Sequence, residues 1–198
     1  MVISLTSLDL TNFNLVRAVR LDNMFSNCQS LINLDISTFD TSNVQYMNSM
    51  FKGCKSLTSI DLSHFDTGRV YSFSGMFESC TSLEKINLNN LDISQTRYMR
   101  NMFKNCHRLS SIDFSKFKSE KNLLFGIDGM FVNCTSLSFI NLSKFNLNRF
   151  SINHYEFSSG NFFDGLKIGG TLMYTEGLIP TKIQNVFPKG WNIIELKV

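Results

Sequence analysis

A short motif returns along this chain at a nearly fixed interval, and this repetition limits the folds that the chain can adopt. The pattern Met-Phe-x-x-Cys occurs five times, with steps of 26, 26, 26 and 28 residues. Its copies begin at Met24, Met50, Met76, Met102 and Met130. A fixed period in this range is the signature of a solenoid, in which each repeat contacts only its neighbours. The 198 residues are therefore predicted to form one elongated repeat domain.

Each repeat has two parts that differ in the spacing of their apolar residues. Leu34 and Ile36 alternate around Asp35, which indicates a short strand with both apolar side chains on one face. From Val44 to Cys54, apolar residues follow at i, i+3, i+6, i+7 and i+10, a spacing typical of a helix. We therefore predict an α/β, leucine-rich-repeat-like right-handed solenoid. One parallel sheet of short strands would form its concave side and helices its convex side, in preference to an all-β helix.

Turns are predicted between these elements. The cluster Asp40-Thr41-Ser42 suits a turn and a helix N-cap. The residue before each motif cysteine is in most copies asparagine or glycine, which tolerate the left-handed backbone that ends a helix. These positions are Asn27, Gly53, Ser79, Asn105 and Asn133.

The same template predicts eight rungs. Six clear strands are centred on residues 8–10, 34–36, 60–62, 86–88, 112–114 and 140–142. Two weaker strand patterns follow at Phe163/Leu166/Ile168 and Trp191/Ile194/Leu196. A decayed copy of the motif is predicted at residues 156–160, and a short helix near 181–187. We assign six tandem rungs to residues 1–150 and a C-terminal cap of degenerate repeats to residues 151–198.

Composition and charge exclude several classes of protein. The net charge of +3 is spread along the chain and forms no basic stripe of the kind that nucleic-acid binding needs. No run of about 18 apolar residues is present, so no transmembrane helix is predicted. The five cysteines all belong to the motif, and their spacing matches no zinc site. We predict that they fill the core as small apolar side chains, although stacking would also permit a disulfide. No metal or other cofactor is predicted.

No catalytic site is predicted either. His64, His107 and His154 occupy different positions in the repeat, so they share no ladder. A nucleophile–base pair would need an unrepeated serine or cysteine beside one of them, whereas the cysteines and most serines belong to the repeat. Phosphate-binding glycine loops are absent from the sequence. We therefore predict a protein that is not an enzyme.

The first candidate binding surface is a ladder of polar residues on the predicted sheet. The middle residue of each strand should point outward, because its neighbours point into the core, and successive strands lie about 4.8 Å apart. Its members are Asp9, Asp35, Asp61, Asn87, Asp113 and Asn141. The ladder could recognise a basic or polar partner, or bind a cation weakly. The alternative, favoured because these residues belong to the repeat consensus, is a hydrogen-bonded ladder kept for solubility and regularity.

The second candidate surface consists of residues that vary between repeats. We expect them on the exposed face of the convex helices: Tyr46, Tyr71, Arg97, Tyr98 and Arg100. Tyrosine and arginine are favoured anchors at protein interfaces. An ordinary solvated helix face is the alternative interpretation of the same residues.

The repeat resembles a known family. The string Cys-x-Ser-Leu-x-x-Ile-Asp-Leu-Ser-x-Phe-Asp-Thr-x-x-Val, which starts at Cys54 and is followed by Met76-Phe77, resembles the BspA-like leucine-rich-repeat surface proteins. The resemblance covers about residues 5–150 and implies a cell-surface or secreted protein that mediates adhesion, often to host or neighbouring-cell proteins. It supplies no site residues, because the matched positions are scaffold. The chain lacks a signal peptide and begins inside a repeat, so we expect a fragment of a longer surface protein or a shortened relative.

These observations predict a non-enzymatic cell-surface adhesion or protein-binding repeat module. Its expected partners are proteins, such as host or neighbouring-cell surface or matrix proteins. Two alternatives remain open. The rungs could be a spacer or stalk of a longer surface protein without a ligand of their own, or the chain could be an intracellular protein-binding scaffold.

Overall fold

Short parallel strands succeed one another along the chain at intervals of about one repeat. The computed structural model describes residues 6–10, 12–119, 124–148, 162–185 and 187–197. The elements are β1 (Ser59–Asp61), β2 (Lys85–Asn87), β3 (Ser111–Asp113), β4 (Phe139–Asn141), β5 (Thr171–Thr175), α1 (Thr181–Gln184) and β6 (Asn192–Leu196).

Every strand pair is parallel and joins equivalent positions of neighbouring repeats. Ile60 of β1 is paired with Ile86 of β2, and Ile112 of β3 is paired with Ile140 of β4. Strands β3, β4, β5 and β6 form one four-stranded sheet in chain order, and β1 and β2 form a second sheet. The prediction of parallel strands, one per repeat, is therefore confirmed for these rungs.

Two parts of the strand prediction are wrong. Residues 8–10 and 34–36 form no strand. The expected single sheet is interrupted, since no strand pairing joins β2 to β3 in the part of the chain that the structure describes. Neither segment is helical, so the backbone there has no regular secondary structure.

The predicted convex helices are also wrong. The described residues contain one helix, α1, which is four residues long and lies near the C-terminus. Where helices were expected, the amide of Phe51 donates to the carbonyl of Met76 at 2.9 Å, and the amide of Gly53 donates to that of Glu78 at 2.8 Å. Because these amides bond to the next rung, they cannot close helical turns within their own rung. The architecture is therefore closer to the all-β alternative.

Left-handed residues occur at two positions in each rung, and they explain why no helix forms. The first position is the residue before the motif cysteine, where the predicted left-handed backbone is confirmed with φ between 59° and 72°. The second, which the sequence analysis missed, has φ between 54° and 67° and comprises Asn23, Ser49, Gly75, Asn101 and Gly129. A right-handed helix cannot continue through such residues.

Ladders of identical side chains fill the core. The motif phenylalanines stack in parallel, with ring centroids 5.3–6.0 Å apart, in the order Phe25, Phe51, Phe77, Phe103 and Phe131. Four motif cysteines are fully buried and all five are free thiols, which confirms the filler role for those four. Each buried thiol donates to a phenylalanine carbonyl of the preceding rung, as Cys54 Sγ does to Phe25 at 3.1 Å.

The seventh rung begins later than predicted. The ring of Phe163 stacks on that of Phe131 at 6.2 Å, and the amide of Asn133 donates to the carbonyl of Asp164. Gly165, with φ of 77°, repeats the left-handed position. Residues 162–166 thus occupy the positions of the Met-Phe-x-x-Cys motif. The strand of this rung, which was predicted at residues 163–168, is β5 and comes after them. The decayed motif predicted at 156–160 lies outside the described residues.

The C-terminal elements follow the prediction more closely. Strand β6 coincides with the eighth strand pattern, and it pairs with β5 over five residues. Helix α1 begins where the short helix was predicted, but it is shorter than residues 181–187. In the described part of the chain, neither α1 nor any other segment is a helix with the length and apolar character that crossing a membrane requires.

Candidate functional site

The polar ladder on the strands is fixed by short-range hydrogen bonds. The carboxylate of Asp35 accepts a hydrogen bond from the amide of Ser37 at 2.9 Å, and Asp61 accepts one from Ser63 at 2.8 Å. The same bond is made by Asn87, Asp113 and Asn141. An aspartate or asparagine that binds the amide two residues further on forms a local turn, which here ends the strand segment of the rung.

These bonds also set the charge of the ladder. Hydrogen bonds from the Ser37 hydroxyl and amide hold the pKa of Asp35 below its ordinary value. The amide and hydroxyl of Ser63 do the same for the pKa of Asp61. An asparagine oxygen accepts the same amide hydrogen bond, which explains why the ladder contains both residue types. The hydrogen-bonding interpretation therefore accounts for the repetition of these residues.

Part of the ladder borders an open depression on the strand side. Its volume is about 550 Å³, and it is lined by Asn33, Leu34, Asp35, Ser59, Ile60, Asp61, Lys85, Ile86 and Asn87. Lys85 lines it together with Asp35 and Asp61, so the depression carries side chains of both charges.

The ladder is not exposed along its whole length. Asp9, Asp35, Asp61 and Asp113 are exposed, whereas Asn87 is half-buried. Asn141 is only 7% exposed, which corrects the prediction that it faces solvent. Larger residues surround it, because Phe139 lies on the same face of β4 and Met173 is its partner in β5.

The variable tyrosines and arginines lie together along a second series of parallel bridges, outside the strands. With two neighbours that the sequence analysis missed, they form a continuous surface that we name the aromatic–arginine row. It comprises Arg20, Tyr46, Tyr71, Arg97, Tyr98, Arg100 and Phe125. The row follows a series of isolated parallel bridges and not a helix, so the predicted helical setting of its residues is corrected.

Ring and guanidinium contacts run along the row without a gap. The centroids of Tyr46 and Tyr71 are 5.9 Å apart, and those of Tyr71 and Tyr98 are 5.7 Å apart. The guanidinium carbon of Arg20 lies 4.3 Å from the Tyr46 ring, and that of Arg97 lies 4.9 Å from the Tyr71 ring. Each distance is within the range of a cation–π interaction. The row is therefore held in place by its own members.

A glycine makes room at one end of the row. A Cβ atom added at Gly126 would lie 2.9 Å from Cδ1 of Tyr98 and 2.7 Å from Nε of Arg100. A larger residue would thus displace both side chains. The preceding residue, Phe125, is 40% exposed and lies 5.7 Å from the guanidinium carbon of Arg97.

The arginines of the row differ in their ion pairs. Arg20 is paired with Asp22 at 2.7 Å, and Arg100 with Asp128 at 3.0 Å. Arg97 has no ion-pair partner in the described part of the chain, and its Nε atom is buried without a hydrogen-bond partner. The five row residues of the prediction are all half-buried, so each keeps part of its surface accessible.

The buried cysteines and His64 belong to the scaffold. Burial raises the pKa of Cys54 and of Cys134 to about 12, so both thiols stay protonated at neutral pH and are poor nucleophiles. The Nε2 atom of His64 lies 2.9 Å from the carbonyl oxygen of Ile36. Over the described residues, no group of three or more histidine, cysteine, aspartate or glutamate side chains is placed to hold a metal ion.

Parallel strands that pair between successive rungs, with repeated core ladders, fit a solenoid-like repeat protein. The model for the BspA type leucine rich repeat region matches residues 74–172, and the model for a Mycoplasma protein of unknown function, DUF285, matches residues 2–117. The chain belongs to the BspA-type leucine-rich-repeat family, which confirms the resemblance, and its first 117 residues place it in DUF285 as well. No curated protein matches the chain significantly. BspA-type repeats are typically non-enzymatic, and membership of this family indicates a protein-binding repeat module.

Proposed function

We propose that this chain is a non-enzymatic adhesion module of a cell-surface or secreted protein, and that it binds another protein through the aromatic–arginine row. The observation that carries the proposal is the contiguity of that row. Its residues differ from rung to rung on an otherwise uniform scaffold, and they remain partly exposed. Tyrosine and arginine contribute most often to the binding energy of protein interfaces.

The dimensions of the row suit such an interface. It runs from Arg20 to Phe125 over five successive rungs. Four steps of about 4.8 Å give a length of about 19 Å. A standard interface buries about 800 Å² on each partner, so a row of this length would fill its centre.

The polar ladder is a weaker candidate for the same function. In Asp35, Asp61, Asn87 and Asp113, one side-chain oxygen is already used to end the strand segment. By contrast, Tyr46, Tyr71, Arg97 and Tyr98 contact one another through ring faces and a guanidinium, and each keeps part of its surface accessible to a partner. The ladder from Asp9 to Asp113 is retained as a secondary proposal, which is strongest where Asp35, Asp61 and Asn87 border the depression. The buried Asn141 is left out of it.

Two other roles remain as competing proposals. The regular core would suit a spacer or stalk, in which the row has no partner. An intracellular scaffold would use the same row, and it differs only in location. Surface association is typical of BspA-type proteins and supports the adhesion proposal. Protease shaving of intact cells separates the two locations, since only a surface protein is removed.

The binding proposal is tested on an immobilised panel of extracellular-matrix and cell-surface proteins. The chain is compared with a row variant, Tyr71→Ala with Arg97→Ala, and with a ladder variant, Asp35→Asn with Asp61→Asn, as the matched control. We expect saturable binding to at least one protein, weakened about tenfold or more in the row variant and unchanged in the ladder variant. Absence of binding across the panel contradicts the proposal and favours a spacer. Loss of binding in the ladder variant alone would show that the partner binds the polar ladder and not the row.

A further inference from the structure

We propose that the partner presents an extended acidic segment to the aromatic–arginine row, with one carboxylate at Arg20 and a second at Arg97. The inference rests on the proposed function, because it names the chemistry of the protein that the same row would bind.

Arg97 is the member of the row whose interactions are incomplete. Its guanidinium lies between the rings of Tyr71 and Phe125, at 4.9 and 5.7 Å from their centroids. These contacts offset part of the cost of removing the cation from water. The Nε atom is buried against the chain without an acceptor, so a partner would meet the guanidinium at its terminal N–H groups. In the described part of the chain no ion pair neutralises this cation, although the side chain is only half-buried.

A carboxylate is the group that completes such a site. It accepts two parallel hydrogen bonds from one guanidinium, and the pair is stronger than a bond between neutral groups. The structure shows this chemistry elsewhere in the row, where Arg100 is paired with Asp128. For Arg97, no carboxylate of the described residues fulfils this role, so a carboxylate of a partner protein is the fitting complement.

The spacing of the arginines sets the geometry of the segment. Arg20 and Arg97 belong to rungs separated by three steps, and three steps of about 4.8 Å give about 14 Å. An extended peptide advances about 3.3 Å per residue, so carboxylates four positions apart are separated by about 13 Å. One strand-like segment that runs along the stack can therefore reach both guanidinium groups.

The surface between the arginines suits the intervening residues. Tyr46 and Tyr71 lie there with ring centroids 5.9 Å apart, and both are half-buried. Such a shelf favours flat apolar side chains, proline included, through contact with the ring faces. Arg20 bonds Asp22 through Nε and its side chain is 62% exposed, so a carboxylate can still reach its terminal N–H groups. Nucleic acid fits less well, because the three arginines of the row would neutralise few phosphates.

The probe is a synthetic peptide of about ten residues with two aspartates four positions apart and proline and glycine between them. A first control peptide has asparagine in place of both aspartates, and a second has the aspartates adjacent. Binding to the whole chain is measured by fluorescence anisotropy. The variants are Arg97→Ala and Arg97→Met, which keeps an aliphatic stem and so guards against a folding defect. Arg108→Ala is the matched control, because it removes the same charge from an exposed arginine that pairs with Glu84 outside the row.

We expect the spaced-aspartate peptide to bind, and both Arg97 variants to weaken it about tenfold or more. Arg108→Ala should change the affinity less than about twofold, and added salt should weaken binding. Equal binding of the asparagine peptide, or of the adjacent-aspartate peptide, overturns the inference. So does Arg97-dependent binding to vesicles containing phosphatidylserine without peptide binding, which assigns the row to a membrane surface. Self-association that depends on Arg97, without peptide binding, also overturns the inference, because the row would then bind a second copy of the chain.

The two proposals can fail separately. If the chain binds a panel protein through the row but ignores all three peptides, the acidic segment is wrong and the binding function stands. If no panel protein binds, the function itself is contradicted.

Discussion

Substituting Gly75 by alanine distinguishes the observed turns from the helix that the sequence pattern predicts. Gly75 is buried at the second left-handed position of its rung, with φ of 65°. A Cβ atom at this position would lie 3.0 Å from the Ser49 hydroxyl oxygen of the preceding rung and 3.3 Å from Oε2 of Glu78. The same residue would be in the interior of a helix if the convex side were helical.

The two structures predict effects of opposite sign. An L-residue in the left-handed region costs about 1–2 kcal/mol, and alanine recovers about 0.4–1 kcal/mol by restricting the unfolded chain. The net expectation is a loss of roughly 1 kcal/mol, with any movement of Ser49 adding to it. In a helix interior, alanine would instead stabilise by about 0.5–1 kcal/mol relative to glycine.

Urea denaturation followed by intrinsic fluorescence measures the difference. We expect Gly75→Ala to lower the midpoint and the melting temperature, the latter by about 2–4 °C per kcal/mol for a chain of this size. Ser49→Gly is the matched control one rung earlier, since Ser49 has φ of 54° and should gain stability from the change. A stabilised Gly75→Ala variant together with a destabilised Ser49→Gly variant would refute the turn assignment.

Three further perturbations test the core, the thiols and the ladder. Phe77→Ala should lower the free energy of unfolding by about 3–5 kcal/mol, because its buried ring stacks on two neighbours, whereas Phe13→Ala, at a ring that is 47% exposed, should cost much less in the same urea titration. At pH 8 a thiol reagent should modify Cys28 alone in the folded chain and all five cysteines in denaturant. Burial raises the pKa of the other four thiols, whereas unfolded thiols ionise near pH 8.5, so the free energy of unfolding should fall as the pH rises above that value. Rapid labelling of the buried thiols in the folded chain would contradict this. So would a free energy of unfolding that depends on pH no more in the wild-type chain than in Cys→Val variants. Asp61→Asn should lower the midpoint at pH 7 less than Asp61→Ala does, because the amide oxygen can still accept the hydrogen bond from Ser63. Because the folded pKa of Asp61 is depressed, its ionised form contributes stability that is lost as the pH falls through that pKa, and Asp61→Asn should reduce this acid sensitivity.

Burial was easier to predict from the sequence than secondary structure. The apolar positions from Val44 to Cys54 are all fully buried, as their spacing indicated. The same spacing of three and four residues also fits successive tight turns, such as those closed by the amide of Lys52 on Ser49 and by that of Cys54 on Phe51. Periodicity could not choose between them, because the choice depends on amides that bond to another rung. The sequence did carry one indication of the turns, since asparagine, serine or glycine recurs at the second left-handed position of each rung.

The candidate site was predictable only in part. The variable tyrosines and arginines were identified, but Arg20 and Phe125 were missed, although they lie 26 residues before Tyr46 and 28 residues after Arg97. These intervals equal the steps of the motif, so the repeat spacing alone could have identified Arg20 and Phe125 as members of the row. The burial of Asn141 could not be predicted in this way, because it depends on β5, whose start is displaced by the late seventh rung.

The central claim is that amide-to-carbonyl hydrogen bonds join the rungs on the side that carries the aromatic–arginine row. Scalar couplings across hydrogen bonds, measured by NMR on isotopically labelled protein, report each donor and acceptor directly. We expect the amide of Phe51 to couple to the carbonyl of Met76, and the amide of Gly53 to couple to the carbonyl of Glu78. Couplings from Phe51 to Met47 and from Gly53 to Ser49, the pattern of an α-helix, would contradict it.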